Sequence, residues 1–187
     1  MWFLLSHGGC PVVDDPQIVT SPTDSVPVDD TVPLLLSTAP CASCGGACRI
    51  DELVYASSYH TTEPVDYADL PPAGGPHNPC WTAWGVHDAA VPDDNWVHNL
   101  EHGGVAFLYD CTDCDGDVAG IVGLTTSLGQ FTVVTPYPDM DPGYAVVAWG
   151  WRMVSSCFDP AAAEAFYTSH VDQAPESTMA DPGKSCQ

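Results

Sequence analysis

The stretch HNLEHGGVAFLY, residues 98–109, changes its residue pattern at two adjacent glycines. Upstream of them, Asp93 or Asp94 is suited to cap a short helix, and Gly103 suits the position just beyond its C-terminus. Downstream, Val105–Tyr109 is a short apolar run of the kind that forms a buried strand. We therefore expect a helix, a glycine turn and a buried strand in direct succession.

The rest of the chain after this stretch continues the alternation of helix and strand patterns. Residues 117–128 have helical spacing, residues 130–135 are rich in β-branched side chains, and residues 144–154 have the pattern of one long strand. Asp159, followed by proline, is suited to cap a last helix. This order predicts an α+β fold: a small antiparallel sheet with helices on one face, loop-rich and stapled by disulfides.

The N-terminal part of the chain differs in composition from the rest. Residues 1–10 are similar to the end of a bacterial lipoprotein signal, since an apolar run and small residues precede Cys10. They predict a signal remnant or a lipidation site that would tether the protein to a membrane. Residues 11–40 are rich in Pro, Asp, Ser and Thr and predict an acidic linker. Residues 41–187 are then expected to form a single domain.

Nine cysteines in 187 residues indicate an exported protein, because disulfides persist only in oxidising compartments. If Cys10 is lipidated, an even number remains for pairing. The metal-like spacing of the clusters at 41–48 and 111–114 leaves a zinc or iron–sulfur site as the alternative. We expect disulfides at the following positions: Cys41, Cys44, Cys48, Cys80, Cys111, Cys114, Cys157 and Cys186.

The charge of the chain is strongly negative. Three Lys or Arg residues stand against 25 Asp or Glu residues, which gives a net charge of −22. A surface of this sign repels phosphate backbones, so nucleic acid is a poor partner for this protein. It also concentrates cations, including metal ions, near the protein.

The histidines are the residues most suited to chemistry. His98 and His102 are four residues apart, which places both rings on one face of a helix, where they can converge on one ion. The Pro- and Gly-rich loop 71–76 presents His77 as a third ligand. His60 is expected to supply a fourth ligand, with His87 as the alternative, and Glu101 to bind the ion or to orient a ligand.

The identity of the metal depends on Met140. A thioether beside histidines would favour copper, because soft ligands select Cu(I). Without it, zinc is the next expectation. Residues 98–102 also match the H-x-x-E-H pattern of inverted zinc peptidases, but the two glycines that follow would end the long helix which that motif requires.

The chain from about residue 59 to residue 176 resembles a bacterial family known as domain of unknown function 3105. The resemblance implies no established activity or cofactor, and it implies exported or membrane-tethered relatives. In the family's pattern His77, His98, Glu101 and His102 belong to the motif, as does a histidine near His60, whereas a tyrosine is more usual at the position of His87. The stretches that carry the resemblance are PPAGGPH (71–77), WGV (84–86), VHNLEHGGV (97–105), AWG (148–150) and APE (174–176).

These observations predict an extracytoplasmic bacterial protein (secreted, periplasmic or tethered to the surface) that captures, delivers or stores a metal ion. Copper is favoured and zinc comes next. Two alternatives stay open: a structural or interaction module of a surface assembly whose histidines are only hydrogen-bonded, and a metal-dependent hydrolase that uses Glu101. Whether the protein is an enzyme at all is not decided by the sequence.

Overall fold

The computed structural model describes residues 26–28, 32–55, 57–110, 115–141 and 143–177. Their strands are β1 (Val26–Val28), β2 (Val32–Cys41), β3 (Gly46–Val54), β4 (Val65–Tyr67), β5 (Gly85–Val86), β6 (Val105–Tyr109), β7 (Thr132–Pro136), β8 (Tyr144–Ala148) and β9 (Trp151–Ser155). Their helices are α1 (Asp93–Glu101), α2 (Asp115–Leu128) and α3 (Pro160–His170), with a short 3-10 helix at Ala42–Cys44.

Seven of these strands form one mixed sheet in the order β2-β3-β9-β8-β6-β7-β5. Neighbours from β2 to β6 are antiparallel, whereas β7 is parallel to both β6 and β5. The chain passes from β6 to β7 through α2, as a parallel connection requires. The α+β class predicted from the sequence is confirmed, and the sheet is mostly rather than wholly antiparallel.

The helices pack on both faces of this sheet. Along β6, Val105 and Phe107 belong to the core that α2 and α3 cover, while Ala106 and Leu108 belong to the core beneath α1. Side chains of a strand alternate between faces, so a run that is apolar throughout needs cover on both sides. The expectation of helices on one face holds for α2 and α3 and is wrong for α1.

Helix α1 begins and ends close to the predicted positions. Its N-cap is Pro92, which makes no side-chain capping bond, and Asp93 and Asp94 lie in the first turn. The prediction that one of these aspartates is the cap is therefore wrong, although their charges still suit the positive end of the helix dipole. At the other end the helix stops before Gly103, which has a φ of 87°.

The predicted strand 144–154 is two strands rather than one. β8 ends at Ala148, β9 begins at Trp151, and Gly150 has a φ of 75° between them. A positive φ is readily adopted by glycine and allows the tight reversal of an antiparallel hairpin. The apolar pattern continues across the reversal because both strands are central in the sheet.

The sheet begins earlier in the chain than predicted. Strand β2 begins at Val32, inside the segment 11–40 that the sequence predicted as linker, and it pairs with β3 along its length. Disulfides join Cys41 to Cys48 across this hairpin and Cys44 to Cys157 beyond β9. Cys80 is disulfide-bonded as well. The predicted pairing positions 111, 114 and 186, and the predicted lipidation site Cys10, lie outside the described residues.

Among the residues that the structure describes, no helix has both the length and the apolar character needed to span a bilayer.

Asp159 ties the β2–β3 hairpin to α3 and is the first position to test. Its carboxylate accepts hydrogen bonds from the amides of Ala162 and Ser43, which lower its pKa. We expect Asp159→Ala to reduce the free energy of unfolding at pH 7 by about 1–2 kcal/mol. This stabilisation is complete above the ordinary aspartate pKa and is lost as pH falls through the lowered folded value.

Urea denaturation of the disulfide-intact protein at several pH values measures this effect. The control is Glu164→Ala, an exposed change on the same helix, which should alter stability by less than about 0.5 kcal/mol. A difference between the wild type and Asp159→Ala that stays constant into strong acid would contradict the assignment.

Candidate metal site

The C-terminal end of α1 carries three of the predicted site residues. His98 and Glu101 are buried in the last turn, and His102 is the half-buried residue that follows it. The amide of Gly104 donates to the carbonyl of Asn99, which turns the chain directly into β6. The site therefore lies where the helix meets the sheet.

His77 and His60 reach the same place from irregular segments. The backbones of residues 59–61 and 77 pair as an isolated parallel bridge, through bonds from Thr61 to His77 and from His77 to Tyr59. This pairing sets the two rings 4.9 Å apart, edge to face. His77 is fully buried, while the side chain of His60 is 45% exposed.

Four side chains bring their donor atoms together in a small volume. These atoms, one each from His60, His77, His98 and Glu101, all lie within 4.8 Å of one another. The Glu101 Oε2 atom is 3.0 Å from His77 Nε2 and 3.4 Å from His60 Nε2. Ligands about 2.1 Å from a tetrahedral ion stand roughly 3.4 Å apart, so small side-chain rotations would let the group hold one metal.

The outer nitrogens of two of these rings are already bonded. His77 Nδ1 lies 2.8 Å from the carbonyl oxygen of Gly75, and His98 Nδ1 lies 2.7 Å from that of Asn78. A carbonyl only accepts, so each Nδ1 carries the hydrogen, and in a neutral ring Nε2 is then the nitrogen with the lone pair that could bind an ion. Metal-binding histidines commonly donate their second ring nitrogen in this way.

The protonation of the group favours a cation at its centre. Burial lowers the pKa of His98 to about 4, so this ring is neutral at ordinary pH. Burial opposes ionisation of Glu101, but hydrogen bonds from His77 and Ser58 outweigh it and lower the pKa to about 2. The Glu101 carboxylate lies 3.0 Å from His77 Nε2. Two lone pairs at this distance repel each other, so the contact is favourable only with a proton or a metal ion between the two atoms.

Two of the predicted ligands stand apart from the four. His102 Nε2 lies 2.9 Å from His98 Nε2, but His102 is not among the residues whose donor atoms are all mutually within 4.8 Å. Met140 is buried beside the first turn of α1, where it lines a cavity with Asp93. Among the described residues, those that line this cavity include none of the histidines.

His87, the alternative fourth ligand, bonds through Nε2 to the carbonyl of Ala83 and is likewise outside the group.

Several residues that position the site were not identified from the sequence. The Asn99 side chain bonds both the amide and the carbonyl of Thr82 and so holds the preceding loop against α1. In that loop the Trp81 ring meets the rings of His98 and His102 edge-on. Ser58 donates to Glu101 Oε1 at 2.8 Å. Their only sequence signal is proximity to the histidines, because the contacts join distant parts of the chain.

Comparison with known proteins places this region in a family. The model of the family described as protein of unknown function (DUF3105) matches residues 59–186. The chain belongs to this family. No curated protein and no solved structure matches it. The matched region includes every residue of the four-donor group, whereas the β2–β3 hairpin with Cys41, Cys44 and Cys48 precedes it.

The turn after α1 gives a test of how closely the site is packed. A Cβ atom at Gly104 would overlap the Trp84 ring and approach the Asn99 carbonyl oxygen to 2.9 Å. We expect Gly104→Ala to destabilise the protein by about 1–3 kcal/mol, because the helix and the ring have to move apart. Chemical denaturation measures the loss.

Gly123→Ala is the matched control, since a Cβ at this exposed position in α2 meets nothing within 4 Å. That change should stabilise the helix by up to about 1 kcal/mol. Equal stability of the Gly104→Ala variant and the wild type would show that this turn tolerates a larger residue.

Proposed function

We propose that this protein is an extracytoplasmic metal-binding protein that captures, delivers or stores a divalent transition-metal ion. The observation that carries the proposal is the convergence of His60, His77, His98 and Glu101, whose donor atoms lie within 4.8 Å of one another. Three imidazoles and one carboxylate are a complete ligand set for a four-coordinate ion.

The chemistry of the donors favours copper as Cu(II), with zinc next. Imidazole suits both ions, and the general affinity order for such sites places Cu(II) above Zn(II). The case for Cu(I) depended on a thioether, and the cavity that Met140 lines includes none of the histidines. The proposed ion is therefore divalent and bound by nitrogen and oxygen.

The charge of the protein supports a cationic ligand. The site contributes the carboxylate of Glu101, and the whole chain has a net charge of −22. Arg49 and Arg152, two of the three basic residues, both pair with Asp51, which is outside the donor group. The two disulfides within the described residues support an oxidising, extracytoplasmic location.

Metal binding to untagged protein, purified without chelators, tests the proposal. We expect one Cu(II) or Zn(II) per chain, measured by elemental analysis and by titration. His98→Gln and His77→Gln should each weaken binding on the order of 100-fold or more, since even changes beyond the ligands cost 10- to 100-fold. His87→Gln, a matched change outside the group, should bind like the wild type.

Protein that contains no metal and ignores added copper and zinc would overturn the proposal. That result would favour the structural or interaction module. For such a module, His98→Gln changes the stability of the protein and has no effect on ligand uptake. The hydrolase alternative requires that Glu101→Gln abolish turnover while the metal stays bound. Glu101 lies within 3.0–3.4 Å of two histidine nitrogens, which supports a ligand role, so we expect this change to weaken metal binding instead.

A further inference from the structure

We propose that Ser58 is a positioning residue of the metal site, which holds Glu101 so that a single carboxylate oxygen binds the ion and thereby suits the site to an ion with four ligands. This inference rests on the proposed metal-binding function. It assigns a role to a side chain outside the group of four donors.

The two carboxylate oxygens of Glu101 have different partners. Oε1 accepts a hydrogen bond from the Ser58 hydroxyl at 2.8 Å. Oε2 lies 3.0 Å from His77 Nε2 and 3.4 Å from His60 Nε2. The oxygen that faces the two imidazoles is therefore Oε2, while Oε1 is engaged by the serine.

Glu101 by itself would not select one oxygen. The last torsion of a glutamate side chain has a broad, roughly two-fold preference, so the carboxylate turns easily unless a partner holds it. A carboxylate also binds metal ions through either one oxygen or both. A hydrogen bond to Oε1 fixes the rotation of the group and competes with an ion for that oxygen, which leaves Oε2 as the better ligand.

The number of ligands follows from this arrangement. Three imidazoles and one carboxylate oxygen make four donors, the number that zinc takes in most of its tetrahedral sites. Binding through both oxygens of Glu101 would add a fifth donor. Calcium, by contrast, takes six to eight oxygen ligands, often with carboxylates that bind through both oxygens.

The backbone bridge that places His60 also places Ser58. The amide of His77 donates to the carbonyl of Tyr59, and the amide of Thr61 donates to the carbonyl of His77. Ser58 directly precedes the first of these bonds. The serine hydroxyl and the His60 ring therefore come from one short segment that is held beside His77.

The burial of the two partners separates positioning from a role in folding. Ser58 is exposed, whereas Glu101 is buried. Substitution of an exposed residue usually changes stability little. The loss of a hydrogen-bond partner of a metal ligand typically costs 10- to 100-fold in metal affinity. Removal of the hydroxyl should therefore change zinc binding and leave the stability of the metal-free protein nearly unchanged.

Ser58→Thr and Ser58→Val test the inference, because the two new side chains have nearly the same shape and only threonine keeps the hydroxyl. Zinc affinity is measured by competition with a chelator, and the number of ligands by X-ray absorption at the zinc edge. We expect four ligands in the wild type and in Ser58→Thr, with affinities within about threefold of each other. Ser58→Val should bind zinc about 10- to 100-fold more weakly and show a five-ligand component.

Two controls accompany these variants. Ser57→Ala removes a hydroxyl from the neighbouring exposed residue and should bind zinc like the wild type. Urea denaturation of the metal-free proteins should give the same midpoint for Ser58→Val as for the wild type. If the valine variant does not fold, Ser58→Ala replaces it and is compared with Ser57→Ala.

The outcomes separate this inference from the proposed function. Wild-type protein that binds no zinc refutes the function itself. Five ligands in the wild type would show that Glu101 binds through both oxygens, and the inference would be wrong. Wild-type affinity and four ligands in Ser58→Val would also overturn it, as would an equal loss of affinity in Ser58→Thr and Ser58→Val.

Discussion

The glycine turn between α1 and β6 determines where the donor group lies relative to the sheet. Gly103 adopts a positive φ, and Gly104 fits against Trp84 only because it has no side chain. Only three residues therefore separate the helix from a strand that is buried on both faces. His98 and Glu101 occupy the last turn before this reversal, so two of the donors lie close to the start of β6.

The other two donors depend on loops, and the loops depend on backbone hydrogen bonds. The bridge between residues 60 and 77 fixes His60 relative to His77. The side-chain amide of Asn99 holds the loop that contains Thr82 against α1. The carbonyl oxygens of Gly75 and Asn78 accept hydrogen bonds from the Nδ1 atoms of His77 and His98. Without these bonds the buried carbonyls would be unpaired, which costs free energy. These bonds hold the two rings in place, which would preorganise them for the proposed ion.

The negative charge of the chain and its disulfides are features of the whole protein that surround the donor group. A net charge of −22 raises the local concentration of cations, and both arginines of the described part of the chain are engaged by Asp51. The β2–β3 hairpin lies before the family-matched residues and is tied by Cys44 to the segment after β9. The cysteines of this hairpin thus serve the scaffold, and the proposed metal binding rests on the histidines and Glu101.

The sequence by itself determined the local features: α1 with its glycine stop, the buried strand β6, the Asp159 cap of α3 and the four-residue spacing of two histidines. Each depends on neighbours along the chain, where helix period, capping and backbone freedom act directly. Tertiary structure alone decided which face α1 covers and that residues 144–154 form a hairpin. It also placed Glu101 among the four donors and left His102 outside that group, because these outcomes depend on pairing between distant segments, such as residues 60 and 77, that no local pattern encodes.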